Sequence, residues 1–135
     1  MAKLFKLSVV APDRTVFEDE VSSMIVPGIT GYLGVMAEHE PSIVALRSGV
    51  VEFVDKSDQR EHVAITGGFL EVSANHAIVL ADDARMAKDI DLADEQRNLE
   101  EARRALRGEP SEIGQEQAQH ELDRAMARLK AAKSG

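Results

Sequence analysis

From residue 4 to about residue 81 the chain alternates short β-prone runs with turn chemistry every eight to twelve positions, which predicts a sandwich or barrel. The predicted strands are residues 4–11, 15–18, 21–26, 32–35, 43–46, 50–54, 62–65, 69–72 and 76–80. Pro12-Asp13, Pro27-Gly28, Ser48-Gly49, residues 56–60, Gly67-Gly68 and Ala74-Asn75 punctuate them. Two hairpins are expected: residues 50–54 returning through a charged loop to 62–65, and residues 69–72 returning through Ser73 to Asn75, where Asn75 takes a left-handed conformation cheaply.

Past Ala81 the period changes. β-Branched residues nearly vanish and Ala, Leu, Glu, Gln and Arg take over, all good helix formers. Leu92, Leu99, Ala102 and Leu106 form one narrow stripe, with Asp91 as N-cap and Asp94 and Glu95 near the positive end of the helix dipole. Gly108 and Pro110 stop this helix, and Glu109 or Ser111 is placed to start the next. Ala118, Leu122, Ala125, Met126, Leu129 and Lys133 make a second stripe, so the expected fold class is α+β: a β-sandwich over residues 1–87 and an antiparallel helical hairpin over 88–135. A hairpin of that size is marginal alone and must dock on the sandwich, on a partner, or on each in turn.

Composition narrows the function classes. With 44% hydrophobic and 30% charged residues the chain is ordinary for a globular protein, and no apolar run approaches the length of a bilayer span. Lys6 and Ser8 interrupt the N-terminal apolar residues, so no signal peptide is expected and the cytoplasm is the default compartment. Absence of cysteine removes disulfides, thiolate metal sites and cysteine nucleophiles. A net charge of −8 disfavours binding to nucleic acid or anionic lipid and points to protein partners.

Motifs for chemistry are weak. His39 and Glu40 at a turn lack a nucleophile or second carboxylate at a suggestive spacing, and neighbours on an extended strand face opposite ways. "DIDLADE" puts its third acid at the sixth position, where a calcium loop needs glycine; Glu100 falls at the twelfth, but Asp91 as a helix cap explains the run better. The histidines at 39, 62, 76 and 120 show no metal-ligand spacing, and Gly67-Gly68 precedes a strand rather than a helix, which suits a turn or bulge and not a phosphate loop. Arg124 and Arg128 lie one turn apart, away from the apolar stripe; a solvated face with Glu121 pairing Arg124 is the plain reading, and a phosphate or acidic-partner site together with Lys130 and Lys133 is the functional one.

The ordered motifs "GYLGVMAEHEP", "LRSGVVEF", "ITGGFLEVSANHAIVLADDA" and "DID", followed by an Ala/Arg-rich hairpin, resemble the epsilon-subunit family of bacterial F-type ATP synthases. Gly31, Leu33, Gly34, His39 and Pro41 match its Gly-x-Leu-Gly segment with the following His and Pro, while Thr66, Gly67, Gly68, Glu71 and Val72 match its Ser/Thr-Gly-Gly-x-x-Glu-Val segment. The resemblance implies a non-catalytic central-stalk subunit, peripheral on the cytoplasmic face of the bacterial cell membrane, that couples gamma to a proton- or sodium-driven c ring and whose mobile hairpin inhibits ATP hydrolysis. It makes Tyr32 an exposed c-ring contact, Leu33 and Val35 inward packing, and His39 a gamma contact. The family commonly carries an acid at position 32 and Pro-Gly where Ala37-Glu38 stand, so the acid for the ring is assigned to Glu38. Arg124, Arg128, Lys130 and Lys133 are then expected to meet an acidic segment of a catalytic beta subunit.

Some members of that family bind ATP through an Ile/Leu-Asp-x-x-Arg-Ala motif and second-helix arginines. Ile90, Asp91, Arg124 and Arg128 match, but Asp94 and Glu95 stand at the Arg and Ala positions, so ATP binding is expected to be weak or absent and no cofactor is assigned. The rival expectation is a free-standing β-sandwich ligand-binding module with a helical oligomerisation tail; 4% aromatic residues and no Trp leave it without a stacking platform.

Overall fold

The computed structural model describes residues 3–134. Seven strands, β1 (Phe5–Ala11), β2 (Arg14–Gly28), β3 (Gly31–Met36), β4 (Ser42–Asp55), β5 (Arg60–Ser73), β6 (His76–Ala81) and β7 (Ala84–Met86), precede a 3₁₀ turn at Ala87–Asp89 and two helices, α1 (Leu92–Leu106) and α2 (Gln115–Ser134). Pairing runs β1-β6-β5-β4-β2-β3, with β1 also pairing β2 and β7 pairing β5. The β1–β2 ladder closes a ring, so β3 alone flanks it from β2.

Fewer, longer strands form than the turn signals predict. The expected pairs 15–18 with 21–26, 43–46 with 50–54, and 62–65 with 69–72 each fuse into one strand, β2, β4 and β5. Ser48-Gly49 and Gly67-Gly68 are bends within one continuous β4–β5 ladder, not loops. The inward set changes parity there: Leu46 and then Val51 and Phe53 on β4, Val63 and Ile65 and then Leu70 and Val72 on β5, all lie in the core. The long strands thereby pass from one layer of the sandwich to the other. Gly68, at φ +137°, must be glycine, because a Cβ would stand 2.0 Å from the Leu80 carbonyl oxygen. β7 escapes the sequence pattern because it is three residues long and has no β-branched residue.

The expected hairpin turns form. Ala74 and Asn75 carry φ of 50° and 59° between β5 and β6, and the Asp55 carboxylate accepts from the Ser57 and Gln59 amides, 2.9 Å each, in the β4–β5 loop.

α1 starts at Asp91, whose side chain accepts from the Asp94 amide at 3.0 Å. It ends in a Schellman motif: the Gly108 amide reaches the Ala105 carbonyl at 3.1 Å and the Glu109 amide the Arg104 carbonyl at 3.0 Å, with Gly108 at φ +79°. α2 begins later than expected, because the Ser111 hydroxyl turns back to Glu101 at 2.5 Å instead of capping a helix.

The stripes also need correction. The buried face of α1 is Glu95, Leu99, Ala102 and Ala105, while Leu92 and Leu106, its first and last residues, stay 45% and 38% exposed. α2 has two buried faces. Leu122, Ala125 and Leu129 pack on Leu99 of α1, and Ala127 and Ala131 pack on Val50 and Ala64 of the sandwich beside Ala87 and Ile90. Met126 lies between those faces and is 53% exposed.

Candidate functional site

Of the sequence-selected residues, Tyr32, Arg128 and Lys130 gather where α2 crosses the outer face of β4 and β5. Arg128 is not on a solvated face. Its guanidinium is buried and donates to Asp83 at 2.9 Å, in the β6–β7 connection, and to Glu95 of α1 at 3.3 Å. Glu95, 3% exposed as a whole residue, also accepts from the Asn98 side chain at 3.1 Å. Arg124 pairs with Glu121 as the plain reading expects.

Alternation along β3 turns Leu33 and Val35 to the core and Tyr32, Gly34 and Met36 outward. Tyr32 is 48% exposed, yet it is not free. Lys130 donates to its hydroxyl at 2.8 Å, and Arg47 and Lys130 lie 5.0 and 5.2 Å from its ring centroid. The hydrogen bond from Lys130, helped by the nearby positive charge of Arg47, holds the phenol below its ordinary range. Recesses of about 360 Å³ and 300 Å³ flank Tyr32, the first lined by Ile25, Val50, Glu52 and His62, the second by Arg47 and Met126.

The four basic residues of α2 therefore do not form one surface. Arg128 and Lys130 are engaged with the sandwich, Arg124 with its own helix, and Lys133 is exposed with no ion pair among the described residues. Ile90 packs at the edge of the α2–sandwich contact, and Asp91 is spent on the α1 cap. Glu38, at φ 65°, pairs with Lys3 at 3.2 Å, and its backbone amide donates to the Asn75 side-chain oxygen at 2.8 Å. His39 is half-buried beside it, its Nδ1 2.9 Å from the Glu40 carbonyl oxygen. Tyr32 and Glu38 thus lie at opposite ends of β3, and His39 joins neither the Arg128 cluster nor the Tyr32 clasp.

Sequence reading missed Asp83 and Arg47 and gave Glu95 no buried partner. One signal for Glu95 was present: a carboxylate four residues before Leu99 on the apolar stripe demands a buried partner. Asp83 and Arg47 are brought in only by the sheet. Among the described residues no cluster of three or more His, Asp or Glu is arranged for a metal ion, and no helix is long and apolar enough to cross a membrane.

On the far ends of β4 and β5 and on neighbouring β6 the outer face carries Ile43, Phe69 and Leu80, exposed by 76%, 54% and 48%. Phe69 and Leu80 are direct cross-strand partners between β5 and β6. Exposed apolar side chains of this size suit a contact surface.

Known proteins share this order of domains. Residues 4–87 match the family "ATP synthase, Delta/Epsilon chain, beta-sandwich domain", and residues 88–133 match "ATP synthase, Delta/Epsilon chain, long alpha-helix domain". The "ATP synthase epsilon chain" of Moorella thermoacetica is 43% identical over 132 residues, covering 98% of each chain. Its counterpart in Syntrophomonas wolfei is 38% identical over 128 residues, covering 95% of this chain and 93% of that one. The fold is similar, at a TM-score of 0.79 and 24% identity, to a chain in a structure of the Euglena gracilis mitochondrial ATP synthase that comprises OSCP, F1 and the c-ring, with 96% of this chain and 81% of that chain covered. Two successive domain matches and near full-length identity bear out the resemblance seen in the motifs: the chain belongs to the ATP synthase delta/epsilon chain family and is a non-catalytic subunit of that complex.

Proposed function

We propose that the chain is a rotor subunit that joins gamma to the c ring, and that its hairpin regulates ATP hydrolysis by exchanging between a closed and an extended state. The carrying observation is the division of the sandwich surface: α2 covers the outer face of β4 and β5 at Val50 and Ala64, while Ile43, Phe69 and Leu80 stay open. The open apolar face, continuous with the turn that bears His39, suits a permanent apolar contact with gamma. The β2–β3 end, with Ile29 64% exposed beside Tyr32, suits polar c-ring loops, with Glu38 a second contact at the other end of β3.

In the closed state Arg128 and Lys130 are withheld from any acidic segment of the catalytic beta subunit; extension would release them. Moving such an equilibrium from 1:99 to 99:1 takes about 5.5 kcal/mol, which a few interfacial contacts supply. ATP binds weakly or not at all, since Glu95 occupies the guanidinium that a phosphate would need. Peripheral attachment to the cytoplasmic face of the bacterial cell membrane follows from these partners; whether the ring carries protons or sodium ions does not enter the subunit's own chemistry.

The test is capture by purified gamma, followed by hydrolysis assays of the reconstituted catalytic complex with the full chain and with residues 1–87. Retained capture and faster hydrolysis with the short chain are expected. Equal hydrolysis would remove the regulatory role, and failure of gamma to capture either form would remove the coupling of gamma to the c ring through this chain.

A further inference from the structure

Charged groups from three separate elements meet under α2. Arg128 of α2 reaches Glu95 of α1 at 3.3 Å and Asp83 of the sandwich at 2.9 Å. The Arg128 and Glu95 side chains are 8% and 4% exposed, whereas Asp83 stands at the rim with 31% exposed. Burying a guanidinium costs a great deal unless charged acceptors meet it, so the closed hairpin depends on both carboxylates being in place. The rest of its hold on the sandwich is the 2.8 Å hydrogen bond from Lys130 to Tyr32 and a small apolar contact. The apolar contact between α2 and the sandwich is Ala127 and Ala131 on Val50 and Ala64, with Ala87 and Ile90 at the edge, and two recesses flank it. α1 packs on α2, and its ion-pair tie to the sandwich runs through Arg128.

We propose that Arg128, Glu95 and Asp83 form a self-contained latch: Glu95 supplies from within the chain the anion that the Arg128 guanidinium requires, so the hairpin closes on the sandwich with no added ligand. Because one guanidinium bridges both carboxylates, α1 and α2 leave the sandwich as a unit. The latch is also built to open. Arg128 Nε is buried with no hydrogen-bond partner among the described residues, so the closed state leaves one donor that water or a partner's carboxylate satisfies on release. The regulatory meaning of the latch rests on the rotor-subunit reading; the latch itself does not.

Hydrogen exchange of the isolated full chain, followed by mass spectrometry, tests it. Glu95→Ala, which keeps a strong helix former at that position, should speed exchange in α2 at least tenfold, a difference of about 1.4 kcal/mol in opening, while β1 and β6 stay unchanged. Glu95→Leu combined with Arg128→Met removes both buried charges and should return α2 to within about threefold of the parent chain. Magnesium triphosphate at millimolar concentration should leave the parent chain's exchange unaltered. Parental exchange in Glu95→Ala, acceleration spread equally over β1 and β6, a double variant as fast as the single one, or slowing of the parent by triphosphate would each overturn the latch. None of these readouts involves gamma or hydrolysis. A latch that holds in a chain without effect on hydrolysis would therefore sink the regulatory reading alone.

Discussion

Leu7, Phe53 and Leu70 are 0% exposed in the sandwich, whereas the best-buried leucines of the hairpin, Leu99 and Leu129, retain 8% and 7%. Around them the sandwich places Met24, Ile65, Val63 and Val79, while the hairpin places alanines. Each alanine removes little apolar surface from water, at about 25 cal/mol per Å². The two regions are thus held by different physics: a dry core that closes on itself, and a helix pair whose attachment depends on directional polar contacts at Arg128 and Tyr32. The proposed rotor role would use both, a body that does not yield and an arm that does.

The sharpest way to break this comparison is to damage the body. Phe53 lies 4.4 Å, centroid to centroid, from Phe17, in the heart of the core. Phe53→Ala should cost about 3–5 kcal/mol, a large share of the roughly 5–15 kcal/mol that a domain has in total. Urea unfolding followed by circular dichroism should show the strand and helix signals lost together at a much lower midpoint. Helices that outlast the strands would reverse the proposed dependence of arm on body.

A smaller cut should stay local. Asp91→Ala removes the acceptor for the Asp94 amide and should cost about 1 kcal/mol in the first turn of α1. Amide exchange near residues 92–95 should quicken, with the unfolding midpoint of the sandwich unmoved; a fall in that midpoint would mean that α1 supports the sandwich more than its packing on α2 implies.

How much of this was legible depended on whether a signal was local. Hairpin turns were, because Asn75 and the residues around Asp55 declare their backbone preferences in the sequence. So were the Asp91 cap and the Gly108 stop. Strand continuity was not, because Gly67-Gly68 reads as a turn until β4 is seen bending with it across the ladder. Nor was the destination of Arg128. Its partners are 33 and 45 residues away, and only the stacking of α1, α2 and the β6–β7 connection brings them together. The family was readable from motifs, but the partners of each basic residue depended on how the helices pack on the sandwich.

The smallest expected effect concerns the turn between the helices, where acid should loosen the arm's tip before the body. The Glu101 carboxylate accepts from the Ser111 hydroxyl at 2.5 Å, from Arg104, and from the Glu112 amide at 3.0 Å. These contacts, Ser111 foremost, bring its pKa from the ordinary 4.5 down to about 2. Since the folded value is the lower one, the stabilisation is fully present above the ordinary carboxylate value of 4.5 and is lost as pH falls through about 2. The groups lie at the surface, so salt weakens the effect. In an NMR titration the Glu112 amide shift should follow the Glu101 carboxyl. Ser111→Ala should raise the midpoint toward 4.5 while the core strand amides hold their positions over the same range. A parent midpoint already near 4.5 would show that Glu101 does not pin the turn in solution, and the tip of the hairpin would then be as loosely held as its junction with the sandwich.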